Sequence, residues 1–371
     1  MTDWYANTDC RWYLGDRPCR FKRLCPDCPH YAPRGAEILI IKLGALGDVL
    51  RTVALLPALR RRHGDDAFFT WVTHPRALDL VANQPLVDLT LPLDLETTVG
   101  LRGRRFDAVY VLDKEPAAAG LGLSVEAEKR WGFTHDGRGA LIPANPEADY
   151  YWRLGLDDDE KFVKNTRSYQ GLLAEALALD YRGEPYGLRP SEEDRRAAAE
   201  ILEKELNEKG LDPGARLIGL NIGAGGVFAH KNWPPGRYAE LMALRPDWNF
   251  LILGGPAEVR AMEILAEVPN ALAGGSDNPL LRFAALAERC DAVVTGDTLG
   301  LHVALAVGTP VAALFGPTSP REIDLYGLGE KLVTDFDCAP CYRRACDISP
   351  SCVEAVGTDA VLEAVERLRR G

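Results

Sequence analysis

Short apolar runs rich in Val, Ile and Leu recur from residue 37 onward, and many are followed by a glycine-containing turn and a helical pattern. Runs of this kind are typical of parallel strands buried on both faces. The clearest unit predicts a strand at 292–295, a tight turn at 296–300, a helix at 301–307 and a strand at 310–315. Ligands bind where the strands of such a sheet end, so this turn is a candidate site.

The same alternation predicts two α/β domains, because strands that alternate with helices form parallel sheets. A helical pattern at 49–62 contains Pro57, which should kink it, and Ser191 should cap a charged helix that runs to residue 209. We predict a Cys-rich extension at 1–35, a first domain at 36–185 and a second at 186–371. Other predicted strands lie at 38–41, 68–73, 87–91, 106–112, 217–222 and 249–253.

Composition argues against several classes of function. The chain has 371 residues, 47% of them hydrophobic, and a net charge of -11, which argues against general nucleic-acid binding. It contains no run of 18 apolar residues, and its first residues lack the apolar core of a signal peptide. We therefore expect a cytoplasmic protein.

Nine cysteines in a cytoplasmic chain predict metal ligands or buried thiols rather than disulfides. Each of two groups has enough thiols for one zinc or iron ion or one iron–sulfur cluster. For the first group the alternative is a loop-rich cap with free thiols. Cys290 stands apart and is expected in the core. The groups are Cys10, Cys19, Cys25 and Cys28, and, within residues 338–352, Cys338, Cys341, Cys346 and Cys352.

Two residues are candidates for catalysis. Asp48 follows a glycine-rich turn at the end of the first strand and could take a proton from a substrate hydroxyl; a helix N-cap is the alternative. Lys231 follows a second glycine-rich turn and could neutralise a diphosphate leaving group, or it is an exposed loop lysine. Neither turn has the P-loop spacing.

Further candidates lie at the ends of strands in the second half. Gly223 and Gly225 would let backbone amides approach a ligand. Glu258 follows a Gly-Gly turn and could hold ribose hydroxyls, or it is a first-turn helix glutamate. Asp297 and His302 add side chains to the 296–300 turn, where helix amides favour a phosphate.

Taken together, these stretches resemble the ADP-heptose:lipopolysaccharide heptosyltransferase family, inverting glycosyltransferases of the GT-B fold. The resemblance covers about residues 37–370, and its tail segment is similar to the heptosyltransferase II branch. The motifs that carry it are ILIIKLGALGDVLRTVALLPAL, NIGAGGVFAHKNWP, LILGGPAE, GDTLGLHVALAVGTPVAALFGPTSP and CAPCYRRACDISPSC.

The resemblance implies an α/β GT-B architecture of two Rossmann-like domains facing a central cleft. It implies Asp48 as general base, Lys231 at the donor diphosphate and Glu258 near the donor ribose, with no cofactor needed for the chemistry. Arg51 is a candidate for binding acidic groups of the acceptor. The loop at the donor phosphates and sugar would comprise Asp297, Thr298, Gly300 and His302.

The implied partners are a nucleotide-sugar and a lipopolysaccharide core or other glycan, with peripheral contact at the cytoplasmic face of the inner membrane. The sequence differs from the family pattern at Leu299, where the family has glycine. The identity of the donor sugar therefore stays open. The alternatives are a GT-B transferase with another nucleotide-sugar or a protein acceptor, and a metal-cluster redox or sensor protein on the same scaffold.

Overall fold

The computed structural model of the chain describes residues 5–223, 231 and 233–368. In the first half, six strands form one sheet in the order β3-β2-β1-β4-β5-β6. Neighbouring strands are parallel except β6, which pairs antiparallel with β5. The strands are β1 (Glu37–Ile41), β2 (Phe68–Thr73), β3 (Leu89–Pro92), β4 (Arg105–Val111), β5 (Glu126–His135) and β6 (Leu141–Pro143).

The second half forms another six-stranded sheet in the order β12-β11-β10-β7-β8-β9, parallel throughout. Counted from its own first strand, each sheet has the order 3-2-1-4-5-6 of dinucleotide-binding folds. The first three strands are β7 (Leu217–Asn221), β8 (Asn249–Leu253) and β9 (Ala271–Ala273), and the last three are β10 (Ala292–Gly296), β11 (Val311–Phe315) and β12 (Gly329–Val333).

Helices connect the strands of both sheets. They are α1 (Leu46–Thr52), α2 (Leu56–His63), α3 (Leu78–Val81), α4 (Leu95–Arg102), α5 (Pro116–Ser124), α6 (Asp149–Arg153), α7 (Tyr169–Ala176), α8 (Glu192–Lys209), α9 (Pro235–Leu244), α10 (Val259–Ala266), α11 (Leu280–Arg289), α12 (Leu299–Ala306) and α13 (Thr358–Arg367). Over the described ranges, no helix combines the length and the apolar character needed to cross a bilayer.

The described residues divide into two compact units. The first comprises those up to Gly44, Leu55–Arg153 and Leu173–Arg182; the second comprises Ala45–Ala54, Leu154–Leu172 and those from Gly183 onward. Helix α1 therefore belongs to the second unit, where it packs against α12. The units are defined by contacts rather than as contiguous stretches, and the limits predicted at 35/36 and 185/186 stay a prediction.

The strongest sequence patterns gave accurate elements. Strands β2 and β8 have the predicted bounds, since both are wholly buried apolar runs. The Ser191 side chain caps α8 in a capping box with Asp194, as its spacing predicts. Cys290 is fully buried in the core.

The predicted single helix over 49–62 is wrong. The structure has α1, a 3₁₀ turn at Val53–Leu55 and then α2, with Pro57 in the first turn of α2. A residue in the first turn of a helix needs no backbone N–H donor, and proline has none. Pro57 therefore lies at the start of the second helix instead of kinking a single helix. Strand β5 was missed because its sequence EAEKRWGFTH is mostly polar and only two of its residues are buried.

Candidate active site

A cavity of about 480 Å³ lies at the carboxyl edge of the second sheet. The turns that follow β7, β8 and β10 reach it, each with a glycine that lets the backbone come close to a ligand. Helix α12 begins at its wall, where the helix dipole and the first amides favour an anion. The lining residues are Asn221, Gly223, Gly254, Gly255, Pro256, Ser276, Asp277, Asn278, Leu280, Phe283, Thr298, Leu299 and Gly300.

Asn221 fixes the start of α12. Its buried Nδ2 donates to the hydroxyls of Thr295 at 2.8 Å and Thr298 at 2.9 Å. The Thr298 hydroxyl also accepts from the Gly300 amide at 3.2 Å, which caps the helix. The Gly300 amide therefore already has a partner, and the wall of the cavity is held by a buried polar network.

Gly300 leaves room for this network, because a Cβ there would lie 2.4 Å from Asn221 Nδ2. We expect Gly300→Ala to lower the free energy of unfolding by about 1–3 kcal/mol, the usual effect of overpacking. Urea unfolding followed by circular dichroism measures it. The control is Gly236→Ala in α9, where no described atom outside the adjacent helix backbone lies within 4 Å of the new Cβ, so it should be neutral or slightly stabilising. Equal stability of both variants would contradict the packing argument.

Lys231 and Asp297 form an ion pair beside this turn. Lys231 Nζ lies 3.0 Å from Asp297 Oδ2 and donates to the Asp297 carbonyl at 2.9 Å. Burial alone would raise the pKa of Asp297, but the charge of Lys231 and its hydrogen bond hold the pKa below its usual value. The structure thus brings two predicted donor-site residues together and keeps Asp297 ionised.

Asp48 lies on α1 and faces Arg51. Arg51 Nη1 donates to Asp48 Oδ1 at 3.2 Å, and Nη2 donates to the Glu322 carbonyl at 2.7 Å. The guanidinium also lies over the Tyr169 ring, 4.1 Å from its centroid. The Asp48 side chain is 38% exposed and that of Arg51 only 7%. Asp48 is accessible to a substrate, while Arg51 is enclosed by protein groups.

His302 lies between these two groups of charges. A Cβ on Gly47, next to Asp48, would lie 2.8 Å from His302 Cδ2, so this glycine lets α1 approach α12. His302 Nδ1 is 3.0 Å from the Tyr186 hydroxyl. Burial first, and then the charge of Arg51, lower the pKa of His302 to about 3. The imidazole is therefore neutral at physiological pH.

The neutral histidine predicts acid sensitivity. The pKa of His302 is about 3 in the folded chain and about 6.5 when unfolded, so the unfolded state binds the extra proton between these values. Its contribution to stability is complete above pH 6.5 and falls by about 1.4 kcal/mol per pH unit below it. Burial also lowers the pKa of His63 to about 4, so its contribution to stability likewise decreases as the pH falls.

We therefore expect urea midpoints to fall steadily from pH 7 to pH 4.5, and His302→Gln to reduce that slope. The pKa of Asp297 is also lowered, so its contribution to stability is likewise lost as the pH falls, but at a lower pH than that of His302. A pH-independent midpoint, or an unchanged slope in the variant, would contradict the buried neutral state.

Glu258 does not line this cavity, but it contacts two of the glycine turns that do. Its Oε2 accepts from the Gly255 amide at 3.0 Å, and its carboxylate lies 3.3 Å from where a Gly223 Cβ would be. The carboxylate thus braces two glycine turns. Its predicted contact with the donor ribose stays a prediction, and Gly225 lies outside the described residues.

The cysteines of the described ranges do not converge on one ion position, and their role as metal ligands stays a prediction. All nine are free thiols, and over the described ranges no three His, Cys, Asp or Glu side chains converge on an ion position. Near the C-terminus, burial raises the pKa of Cys352, and the nearby Cys341, Cys338 and Cys346 add to the effect. Ligation of a single zinc or iron ion by either group therefore has no support from the geometry.

Sequence reasoning missed several residues of the site. Asn221 had a detectable signal, an amide at the end of a buried strand just before a glycine turn. Tyr186 had none, because it lies in an irregular segment. The residues at 276–283 that line the cavity follow β9, a three-residue strand too short to predict.

Two mostly parallel sheets of nucleotide-binding strand order, with a glycine-lined cavity beside a lysine–aspartate pair, are typical of nucleotide-binding α/β proteins. Residues 96–351 match the family described as glycosyltransferase family 9 (heptosyltransferase). The chain belongs to this family and is a glycosyltransferase, which confirms the family resemblance found in the sequence. Lipopolysaccharide heptosyltransferase 1 of Pseudomonas aeruginosa is 28% identical over 85% of this chain and 88% of its own length.

Solved structures confirm the GT-B class of fold. The Escherichia coli ADP-heptose lipopolysaccharide heptosyltransferase II has a TM-score of 0.64 at 21% identity, covering 89% of this chain and 97% of its own. The E. coli heptosyltransferase WaaC with ADP-2-deoxy-2-fluoro heptose has a TM-score of 0.58 at 16% identity, covering 89% and 99%.

Proposed function

We propose that this chain transfers a heptose from ADP-heptose to a lipopolysaccharide core acceptor, with inversion at the anomeric carbon. The observation that carries the proposal is the presence of Asp48, His302, Asp297 and Lys231 around α12 in one compact unit. The relatives' activities and the ADP-heptose analogue bound to WaaC support the choice of donor.

Asp48 is the proposed general base. Its carboxylate takes the proton of an acceptor hydroxyl, whose oxygen then attacks the anomeric carbon in a single displacement. Arg51, the sequence candidate for the acceptor, donates to one carboxylate oxygen of Asp48 and leaves the exposed side of Asp48 to the substrate. We assign Arg51 to positioning Asp48. His302 stays neutral beside this pair, so it adds no second positive charge.

The leaving group is the diphosphate of ADP. As the bond between the anomeric carbon and the diphosphate oxygen breaks, negative charge grows on the phosphates. Lys231 and the dipole of α12, whose start at Thr298–Gly300 lines the cavity, stabilise that charge without a metal. Asp297 orients Lys231 through two contacts, and the glycine turns at Gly223 and Gly255 admit the nucleotide.

We further propose that the enzyme works in the cytoplasm, in peripheral contact with the inner membrane. A lipid-linked acceptor would present its sugars there. The net charge of -11 opposes nucleic-acid binding.

The test is transfer by the purified protein from ADP-heptose to a heptose-deficient lipopolysaccharide. We expect release of ADP together with a mass gain of one heptose on the acceptor. ADP release that does not depend on acceptor, or no mass gain, would contradict the proposal.

A second candidate is transfer of a different sugar, because Leu299 lines the cavity. A panel of nucleotide-sugars scored by thermal shift separates the two. A ligand at 100 times its dissociation constant adds about 2.7 kcal/mol to stability. A larger shift with a UDP- or GDP-sugar than with ADP-heptose would favour the second candidate.

A further inference from the structure

Residues 5–36 form a segment without a hydrophobic core. None of its side chains is buried, and the buried residues of the first unit begin at Ile38. It holds no helix or strand, only an isolated antiparallel bridge between Cys10 and Pro33. Short segments that bury so little apolar surface keep a fixed fold through disulfides or bound metal.

The four cysteines of this segment line one cavity of about 320 Å³. All four are half-buried and none is in a disulfide. Aromatic rings cover the same cavity: Phe21 stacks on His30 with ring centres 3.9 Å apart, and Trp12 meets Phe21 edge-on at 5.8 Å. The cavity-lining cysteines are Cys10, Cys19, Cys25 and Cys28.

Two tight turns present the thiols. The Cys28 amide donates to the Cys25 carbonyl at 3.2 Å, and the Lys22 amide donates to the Cys19 carbonyl at 2.9 Å. Asp27 and Lys22 have φ values of 54° and 49° in these turns. Aspartate tolerates this left-handed conformation in ordinary turns, whereas lysine keeps it only where its surroundings enforce it. A group bound by the thiols would account for the turn at Lys22.

The donor set selects the kind of group. Four thiols favour zinc or iron–sulfur chemistry, and they outnumber the one carboxylate, Asp16, and the one imidazole, His30, of the same lining. A single ion needs all its sulfurs within about 2.3 Å of it, and over the described residues no such convergence exists. In a cluster the thiolates bind different irons, so their sulfurs stand further apart around an inorganic core. Four thiols spread around one cavity match that arrangement.

The charge of the segment supports an anionic group. Residues 5–36 contain six Lys and Arg against three Asp, although the whole chain carries -11. Arg17 and Arg23 line the cavity, and Arg20 lies 4.9 Å from the centre of the Trp12 ring. These cations beside the cavity suit a bound group of net negative charge.

We propose that Cys10, Cys19, Cys25 and Cys28 ligate an iron–sulfur cluster that holds the N-terminal segment in its fold. Assembly takes iron and sulfide from outside the chain and releases one proton from each thiol. The role is structural, and no electron transfer is part of it.

The first experiment uses the wild-type chain, purified without oxygen or reconstituted with ferrous iron and sulfide. We expect a brown protein with visible absorption, and iron and acid-labile sulfide in equal amounts. Iron without sulfide, zinc alone, a pair of disulfides, or no metal after reconstitution would each overturn the proposal. This measurement needs no variant to fold.

The second experiment locates the cluster. The double variant Cys25→Ser, Cys28→Ser should lose the iron and sulfide of this site and become more sensitive to proteolysis before residue 37. The matched control is Cys338→Ser, Cys341→Ser in the C-terminal group. This variant should retain the iron and sulfide that the N-terminal cysteines bind. Loss of all iron and sulfide in the control, with none lost in the first variant, would assign the cluster elsewhere.

Discussion

Replacing Asp48 with Asn should lower kcat by about 10²- to 10⁴-fold, the usual contribution of a general base. Asn is isosteric, and its amide oxygen still accepts from Arg51, so the contact at 3.2 Å can persist. The variant therefore keeps its fold and loses only the basic group. ADP affinity should change by less than about twofold, since Asp48 does not contact the leaving group in the proposed mechanism. Steady-state turnover and calorimetric titration with ADP measure the two effects.

The matched control is Asp94→Asn. Asp94 is an exposed N-cap that accepts from the Thr97 amide at 2.8 Å, and Asn caps a helix equally well. It should keep wild-type turnover. Near-normal turnover in Asp48→Asn would show that Asp48 is not the general base. An equal loss of turnover in both variants would indicate a general effect on the protein.

Replacing Lys231 with Met should lower kcat by about 10²- to 10³-fold, comparable to removing one donor from an oxyanion hole. ADP affinity should fall by about 10- to 100-fold, because the ammonium would contact the diphosphate before and after transfer. The exposed Lys204 on α8 supplies the control, Lys204→Met. Turnover with saturating ADP-heptose measures kcat, and titration with ADP measures the ADP affinity.

Lys231 also has a structural role that must be separated from its chemistry. Its removal leaves the Asp297 carboxylate buried without its nearest cation, which costs about 1–3 kcal/mol of stability and raises the pKa of Asp297. The double variant Lys231→Met, Asp297→Asn removes that buried charge. We expect it to regain stability without regaining turnover. Recovery of turnover together with stability would mean that Lys231 acts only through the fold.

The sequence by itself determined the strongly apolar buried strands and the residue types at their ends, but not the mostly polar β5 or the three-residue β9. Runs such as FFTWVT at β2 are buried on both faces, and burial is a local property that periodicity reports. Glycine turns followed by Asp48 or Asp297 indicate a ligand edge, since chain order alone places them after a strand. The family pattern then added the transferase chemistry.

The tertiary structure decided how those residues work. Arg51 lies 271 positions from Glu322, whose carbonyl it contacts, and no local pattern links them. The tertiary contacts of Arg51 with Asp48 and Glu322 are the basis for proposing that it positions Asp48. Asn221 likewise acquires its role only when β10 lies beside β7. Local sequence determines burial and turns, whereas partners far apart in sequence depend on which elements pack together.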